Sequence, residues 1–333
     1  MESIKSLTKL QVSNIFYYTD RFKEQQKNRN FIINGNIIDY GNKFLCNAFF
    51  ESSTRTSMSF ENAMLKLGGK VISFDSTSSS LKKGESFDDT MKTIQEFCDI
   101  IVLRHPNQEN IYKASKICKI PIINGGNGAG EHPTQALLDL YTIRENYNIN
   151  KQFHICFIGD IKYSRTIHSL LELLVKMEIK CTITFHCYSN CFPEKSYIDY
   201  LKEHFGDNNV QFTDNIEENI QKYDIFYCTR NQIERHNTYN HDTNNNHIFN
   251  NFKNKNVDFD VSKWQINKFK LEKMKSTAII LHPLPRNNEI HVNVDNDRRA
   301  KYFDQVKNGI YIRMAILHNI FNNSTTLSND LAF

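Results

Sequence analysis

The residues whose side chains are best suited to binding or catalysis lie in one short segment. FFESSTRTSMSFE begins at Phe49 and holds Ser53, Thr54, Arg55 and Thr56 in a row, between a strand-like apolar run and an amphipathic, helix-like run. The first turn of a helix has unpaired N–H groups and a partial positive charge, so hydroxyls and an arginine there suit a phosphate. The alternative is an ordinary helix cap with a surface arginine. The segment contains no glycine, unlike a Walker loop or a dinucleotide fingerprint.

Basic and polar groups recur in three further segments of the first half. Ser79 and Lys83 lie in SSSLKKGE, for which a solvated basic loop is the alternative. Arg104 follows an apolar run, at the point where open parallel sheets deliver ligand-binding residues. His132 and Gln135 end the segment NGGNGAGEHPTQ, whose glycines predict a flexible turn, and a domain hinge with a structural histidine is the alternative there.

Polar residues also follow the strand-like runs of the second half. They are Arg165 after 153–159, Arg230 and Gln232 after 224–228, and Pro283 and Leu284, in HPLPR, after 277–281. Taken alone, each arginine is typical of a protein surface. Together they repeat the pattern of the first half at the carboxyl ends of strands, where open α/β sheets bind ligands. The pattern therefore predicts a cleft for a multiply anionic ligand.

Short apolar runs alternate with helix-like spans along the whole chain. The runs are 44–50, 70–74, 99–103, 120–123, 153–159, 181–187, 224–228 and 277–281. This alternation predicts an α/β protein of two domains, each a parallel β-sheet flanked by helices, with the active site in the cleft between them. Residues 133–148 are predicted to form a helix that joins the domains, and a last helix is predicted at 300–322. We expect one domain at 1–142 together with 298–333, and the other at 143–297.

The composition bears on partners and location. A net charge of +4 over 333 residues does not indicate a dominant nucleic-acid surface, and no apolar run approaches the about 20 residues of a membrane span. The start has no secretory pattern, and eight scattered cysteines indicate reduced, mostly buried thiols, so we expect a cytoplasmic protein. Cys181, His186, Cys187 and Cys191 cluster in sequence, but a strand would turn His186 away from Cys181 and Cys187, so we predict no metal site.

In this order, the motifs resemble the aspartate and ornithine transcarbamoylase superfamily, most closely its aspartate-specific branch. FFESSTRTSMSFE, RHP, HPTQALLDLYTI, GDIKYSRTIHSL, TRNQIER, HPLPR and YFDQVKNGIYIRMAIL match it over nearly the whole chain. Ornithine-specific relatives carry an HCLP-type segment instead, so HPLPR and the twin lysines of SSLKKGE point to aspartate. The resemblance implies carbamoyl transfer from carbamoyl phosphate to L-aspartate, giving N-carbamoyl-L-aspartate and phosphate. This is an early step of pyrimidine synthesis and needs no metal or organic cofactor in the family.

The resemblance also implies a role for each candidate residue. Ser53, Thr54, Arg55 and Thr56 would hold the phosphate, and we expect the same hydroxyls to cap the helix. Thr56, Arg104 and His132 would face the carbonyl oxygen, while Gln135 and carbonyl groups near Pro283 and Leu284 would bind the carbamoyl amide. Arg165, Arg230 and Gln232 would hold the two carboxylates of aspartate.

The family closes each site with a loop of a neighbouring subunit. The resemblance therefore implies a homotrimer, in which Ser79 and Lys83 act in trans and Lys83 contacts both substrates. Any regulatory chain would be a separate polypeptide, and we expect the homotrimer to act alone.

Two departures from the family pattern and two alternative functions complete the prediction. Ser57 replaces an arginine that often follows the S-T-R-T motif, and residues 237–256, of which nine are Asn, lie in the loop expected to close over aspartate. The alternatives are a transcarbamoylase for another amino acid and a non-catalytic phosphate- or nucleotide-sensing module. The aspartate-binding arginines argue against a sensor, which would not need both halves of the site.

Overall fold

The protein is described by a computed structural model that covers residues 1–28, 30–76, 80–187, 191–230 and 261–329. The chain forms two compact units, Met1–Tyr141 with Val306–Phe333, and Thr142–Gln305. Each unit contains a parallel sheet flanked by helices, which confirms the predicted α/β class.

The first unit begins with helix α1 (Lys9–Glu24) and an antiparallel pair, β1 (Phe31–Ile33) and β2 (Asn36–Ile38). Its main sheet has the order β4-β3-β5-β6 and consists of β3 (Phe44–Phe49), β4 (Lys70–Asp75), β5 (Ile100–His105) and β6 (Ile122–Asn127). The helices around it are α2 (Thr54–Lys66), α3 (Phe87–Ile94), α4 (Glu109–Ile117) and α5 (Pro133–Asn146).

The core of this unit forms where the central strands meet the helices. Ile101 and Leu103 of β5 are fully buried against Met91 of α3 and Ile111 of α4. Each such side chain contributes about 1.5–3 kcal/mol of transfer free energy. Because β5 is covered on both faces, it is an almost unbroken buried run, whereas β4 at the sheet edge is mostly exposed. The core thereby fixes the strand ends that carry the candidate residues.

Strand β6 corrects one prediction, because the glycine-rich segment after residue 123 is not a flexible turn at its start. Asn124 continues the strand, donating from Nδ2 to the Glu2 carbonyl at 2.8 Å and accepting the Gly126 N–H at 2.7 Å. A side chain at Gly125 would meet Val102 at 3.2 Å, so glycine allows the close packing. The turn comes only at Gly128, where φ is +55° and a Cβ would lie 2.0 Å from the Pro106 carbonyl oxygen.

The second unit has a five-stranded parallel sheet of order β11-β10-β7-β8-β9. Its strands are β7 (Phe153–Ile158), β8 (Cys181–His186), β9 (Val210–Phe212), β10 (Ile225–Cys228) and β11 (Ile279–Leu281). Its helices are α6 (Arg165–Lys176), α7 (Lys195–Phe205), α8 (Val261–Trp264) and α9 (Lys268–Lys273). The sequence did not predict β9, which has three residues and exposes two of them.

The last helix, α10 (Tyr302–Asn329), is fastened to the first unit by a buried arginine. Arg313 is 3% exposed, donates to Thr134 Oγ1 at 3.1 Å, and lies 5.1 Å from the ring of Phe60. Burial lowers the pKa of Arg313 to about 10, against the attraction of Asp139. Because Phe60 lies on α2 and Thr134 on α5, this one side chain braces both helices that begin at candidate site residues.

The eight cysteines are free thiols, and seven of them are buried. Within the described ranges, no three His, Cys, Asp or Glu side chains are grouped so that they would hold a metal ion. In the same ranges, no helix combines the length and apolar character of a membrane span.

Candidate active site

The first turn of α2 leaves its positive end without a compensating group from its own cap. Ser53 stands at the cap position with extended backbone angles, φ −158° and ψ 98°, yet its side chain makes no capping hydrogen bond. The first turn holds no acidic residue, and Thr54 and Arg55 are exposed. This corrects the expectation that the same hydroxyls would also cap the helix. An N-terminus of this kind has N–H groups and a dipole available for an anion.

Two buried side chains meet behind that turn. Thr56 Oγ1 lies 3.4 Å from His132 Nε2, and the two residues are 5% and 6% exposed. His132 directly precedes α5, and its carbonyl accepts the Gln135 and Ala136 N–H groups that begin the helix. The contact joins the starts of α2 and α5, so a hydroxyl and an imidazole lie beside a helix N-terminus.

Arg104 is held at the carboxyl end of β5, in the register opposite Phe49 of β3. It is 7% exposed, donates from Nη1 to the Gly125 carbonyl at 3.2 Å, and pairs through Nη2 with Glu51 at 3.3 Å. Glu51 was not predicted as a supporting carboxylate, although it stands two residues before Ser53. Arg104 is thus fixed at the sheet edge from which α2 also starts.

Gln135 lies in the first turn of α5, where its amide is also fixed. Gln135 Nε2 donates to Asp139 Oδ1 at 2.8 Å, and Asp139 is fully buried. Because the Nε2 group donates to Asp139, the orientation of the whole amide is restricted. Asp139 was not predicted as a partner of Gln135, although a spacing of four residues on a predicted helix was a usable signal.

In the second unit, two candidate arginines start from neighbouring positions. Arg165 is the first residue of α6, and Arg230 lies two residues after β10. The residues before them, Ser164 and Thr229, are buried and contact each other through their hydroxyls at 3.4 Å. Helix α6 resembles α2 in that its cap residue, Ser164, makes no capping hydrogen bond and its first turn has no acidic residue. The contact brings the two arginine positions to one edge of the second sheet.

The HPLPR loop, His282–Arg286, follows β11 and carries Pro283 and Leu284. Arg286 forms a two-pronged ion pair with Asp295 and also donates to Tyr302 at 3.1 Å. The arginine therefore anchors the loop within its own unit. Asp295 and Tyr302 were not predicted as partners of Arg286, because neither belongs to the HPLPR motif itself.

Of the remaining predicted site residues, one is exposed and the others lie outside the residues that the structure describes. Lys83 is exposed and ends the 3₁₀ segment Ser80–Lys83. Ser79, Gln232 and the Asn-rich residues 237–256 lie outside the described residues. Ser57, which replaces the family arginine, lies in α2, where its carbonyl accepts the Asn47 side-chain amide at 3.3 Å.

Comparison with known proteins identifies the family. The aspartate/ornithine carbamoyltransferase models of the carbamoyl-P binding domain and the Asp/Orn binding domain match residues 1–145 and 151–320. The aspartate carbamoyltransferase catalytic subunit of Thermococcus kodakarensis is 38% identical over 95% of this chain and 94% of that protein. The chain belongs to the aspartate/ornithine carbamoyltransferase family.

Other carbamoyltransferase relatives agree in sequence and in fold. Multifunctional protein ura1 of Schizosaccharomyces pombe is 44% identical over 84% of this chain, which spans about 12% of that protein's length. Aspartate transcarbamoylase from Trypanosoma cruzi, solved in complex with carbamoyl phosphate and aspartate, superimposes with a TM-score of 0.80 at 33% identity. That superposition covers 95% of this chain and 93% of that one.

The first prediction tests whether the start of α2 is a ligand-binding helix start or an ordinary helix cap. Because Ser53 makes no capping hydrogen bond, Ser53→Ala should change the free energy of unfolding by less than about 0.5 kcal/mol. Ser86 is the matched control, since its Oγ accepts the Asp89 N–H at 3.1 Å and caps α3. Ser86→Ala should lower the free energy of unfolding by about 1 kcal/mol in urea denaturation. Equal losses for the two variants would contradict the assignment.

Proposed function

We propose that the chain transfers the carbamoyl group of carbamoyl phosphate to the amine of L-aspartate. The observation that carries the proposal is the uncapped start of α2 beside the buried Thr56–His132 contact. A phosphate would have helix N–H groups, and the adjoining carbonyl would have a hydroxyl and an imidazole. The family and the ligands of the Trypanosoma cruzi structure support the choice of substrates.

For the phosphate end, we assign Ser53, Thr54, Arg55 and Thr56. The exposed guanidinium of Arg55 can form two parallel hydrogen bonds to phosphate oxygens, which a lysine cannot. The helix dipole adds a favourable interaction, and it favours the departing phosphate as its negative charge grows. These residues belong to the Met1–Tyr141 part of the first unit, which we propose as the carbamoyl-phosphate-binding domain.

At the reacting carbon, the aspartate amine attacks as a new C–N bond forms. Charge then develops on the carbonyl oxygen, the C–O bond to phosphate breaks, and the amine loses a proton. Thr56, Arg104 and His132 are proposed to stabilise that oxygen, while Gln135 and carbonyl groups at Pro283 and Leu284 hold the carbamoyl amino group. Pre-oriented donors lower the barrier because they need no rearrangement as charge appears. The Glu51 and Gly125 contacts of Arg104 supply such orientation.

Aspartate is proposed to bind Arg165, Arg230 and Gln232 of the second unit, Thr142–Gln305. The Lys83 ammonium of a neighbouring subunit is proposed to complete the site. Two guanidinium groups suit two carboxylates, because each carboxylate can accept two parallel N–H hydrogen bonds from one guanidinium. An ornithine side chain would bring its ammonium toward the same positive groups. The electrostatics therefore favour aspartate over ornithine.

The second prediction tests this choice of amino acid. With carbamoyl phosphate and equal concentrations of each acceptor, the chain should form N-carbamoyl-L-aspartate at least about 100-fold faster than citrulline. Arg165→Gln should raise KM for aspartate at least about tenfold, since a charged contact is lost. Arg298→Gln is the control, because Arg298 is an exposed arginine of the same unit whose contact is the Ser276 carbonyl. Faster reaction with ornithine would refute the proposed substrate.

We infer that the active form of the protein is a homotrimer with shared sites. In it, Ser79 and Lys83 of one subunit contribute to the active site of a neighbouring subunit. The exposure of Lys83 at the end of its 3₁₀ segment is consistent with contact to another chain.

Free cysteines throughout the chain favour a reducing compartment, and we propose the cytoplasm.

The third prediction tests shared sites by mixing two inactive variants. Arg55→Ala and Lys83→Ala should each lose activity, but hybrids should recover it wherever an intact Arg55 meets the intact Lys83 of a neighbour. A mixture of Arg55→Ala with Thr56→Ala is the matched control. Both of those residues come from one subunit, so every site stays defective.

Activity assays of the mixtures, with subunit exchange verified by mass, provide the readout. Recovery in the first mixture and none in the control supports the sharing of sites. Absence of recovery in fully exchanged Arg55→Ala and Lys83→Ala hybrids would contradict it.

A further inference from the structure

One buried histidine forms a hydrogen bond with the backbone of the HPLPR loop. His282 is 1% exposed, and its Nδ1 accepts the Leu284 N–H at 2.7 Å. On the other side of the ring, Nε2 lies 2.7 Å from Glu289 Oε1. The His282 backbone N–H donates to Gln305 Oε1 at 2.7 Å. The imidazole therefore lies between a backbone N–H and a carboxylate and contacts both.

These contacts determine the tautomer of His282. Because Nδ1 accepts an N–H, it carries no proton, so the proton of the neutral ring is on Nε2 and is donated to Glu289. Burial is the largest single influence and opposes ionisation of Glu289, but the hydrogen bond from His282, the electrostatic attraction of the ring and the backbone hydrogen bonds together lower the pKa of the carboxyl group. The second oxygen of Glu289 accepts the Asn287 N–H at 3.1 Å. The ring is thus held in one orientation and one protonation state.

The orientation of the ring fixes the peptide between Pro283 and Leu284. That peptide bond is trans, so the Pro283 carbonyl points opposite to the Leu284 N–H and away from the imidazole. Leu284 has a φ of +55°, a left-handed conformation that leucine rarely adopts, and its N–H contact helps to hold it there. Pro283 and Pro285 offer no N–H of their own. The contact between the ring and the Leu284 N–H therefore also fixes the direction of the Pro283 carbonyl, which points away from the ring.

We propose that His282, supported by Glu289, is a positioning residue that selects a carbamoyl group over an acyl group. The inference rests on the proposed function, in which the Pro283 and Leu284 carbonyls accept hydrogen bonds from the carbamoyl amino group. Acetyl phosphate has the same phosphate and carbonyl but a methyl group in place of that amino group. A carbonyl held in place favours the amino group and leaves its hydrogen bond unmade with the methyl group.

The test compares three ligands in initial-rate assays of carbamoyl aspartate formation by the full chain. They are carbamoyl phosphate, through its KM, and acetyl phosphate and inorganic phosphate, through their inhibition constants. His282→Gln retains a donor near Nε2 but loses the Nδ1 acceptor, so KM for carbamoyl phosphate should rise about tenfold. Both inhibition constants should stay within about twofold, because neither inhibitor uses the Pro283 carbonyl.

Three further variants make the test specific. His282→Asn keeps an acceptor near Nδ1 and should restore most of the lost affinity, whereas Glu289→Ala should shift KM in the same direction as His282→Gln. His291→Gln is the matched control, since His291 Nδ1 also accepts an N–H two residues ahead, from Asn293 at 3.2 Å, on an exposed turn of the same unit. It should leave all three constants unchanged.

The possible outcomes separate this inference from the proposed function. A rise of all three constants in His282→Gln, or of none, would overturn the role of His282 while carbamoyl aspartate formation by the wild type continues to support the function. A wild-type chain that forms no carbamoyl aspartate would instead overturn the function on which the inference rests.

Discussion

The uncapped start of helix α2 is the electrostatic feature on which the proposed site depends. Its first-turn N–H groups and its dipole favour negative charge. The Ser53 side chain makes no capping hydrogen bond to these N–H groups, and the first turn has no acidic residue. Helix α3 in the same unit begins differently, with a capping Ser86 and two aspartates in its first turn. Leaving one helix start uncapped sacrifices about 1 kcal/mol of stability, which the rest of the unit must supply.

Supporting contacts hold the remaining groups around that helix start. Glu51 and the Gly125 carbonyl restrain Arg104, Asp139 restrains Gln135, and Arg313 braces α2 and α5 from the last helix. Most of these partners are buried, where an unmatched polar group is costly, so the partners and the candidate residues fix one another. In the second unit, helix α6 also starts without a capping hydrogen bond, and His282 contacts the backbone of the HPLPR loop. Rigid donors of this kind are what a reaction without a covalent intermediate requires.

The sequence predicted the α/β class and the positions of eight of the strands, because buried parallel strands are short apolar runs and helices separate them. It missed the three-residue strands β1, β2 and β9, which are too short to show a period, and the continuation of β6, which depends on a side-chain contact of Asn124 with the distant Glu2. Helix α1 was detectable from the buried Val12, Ile15, Phe16 and Phe22 and from its Thr8–Gln11 capping box. Motifs identified the candidate residues, but Glu51 and His282 gain their roles from three-dimensional contacts that spacing does not reveal.

The affinity of Ser53→Asp for inorganic phosphate, measured by titration calorimetry, shows whether the uncapped start of α2 binds the anion. A carboxylate at the cap position would occupy the first-turn N–H groups from within the chain, with Ser53→Asn as the uncharged control. The aspartate variant should gain about 0.5–1 kcal/mol in unfolding free energy and lose phosphate affinity at least about 100-fold. The asparagine variant should lose much less affinity. Unchanged phosphate affinity in a stabilised Ser53→Asp variant would show that the first turn of α2 is not the phosphate site.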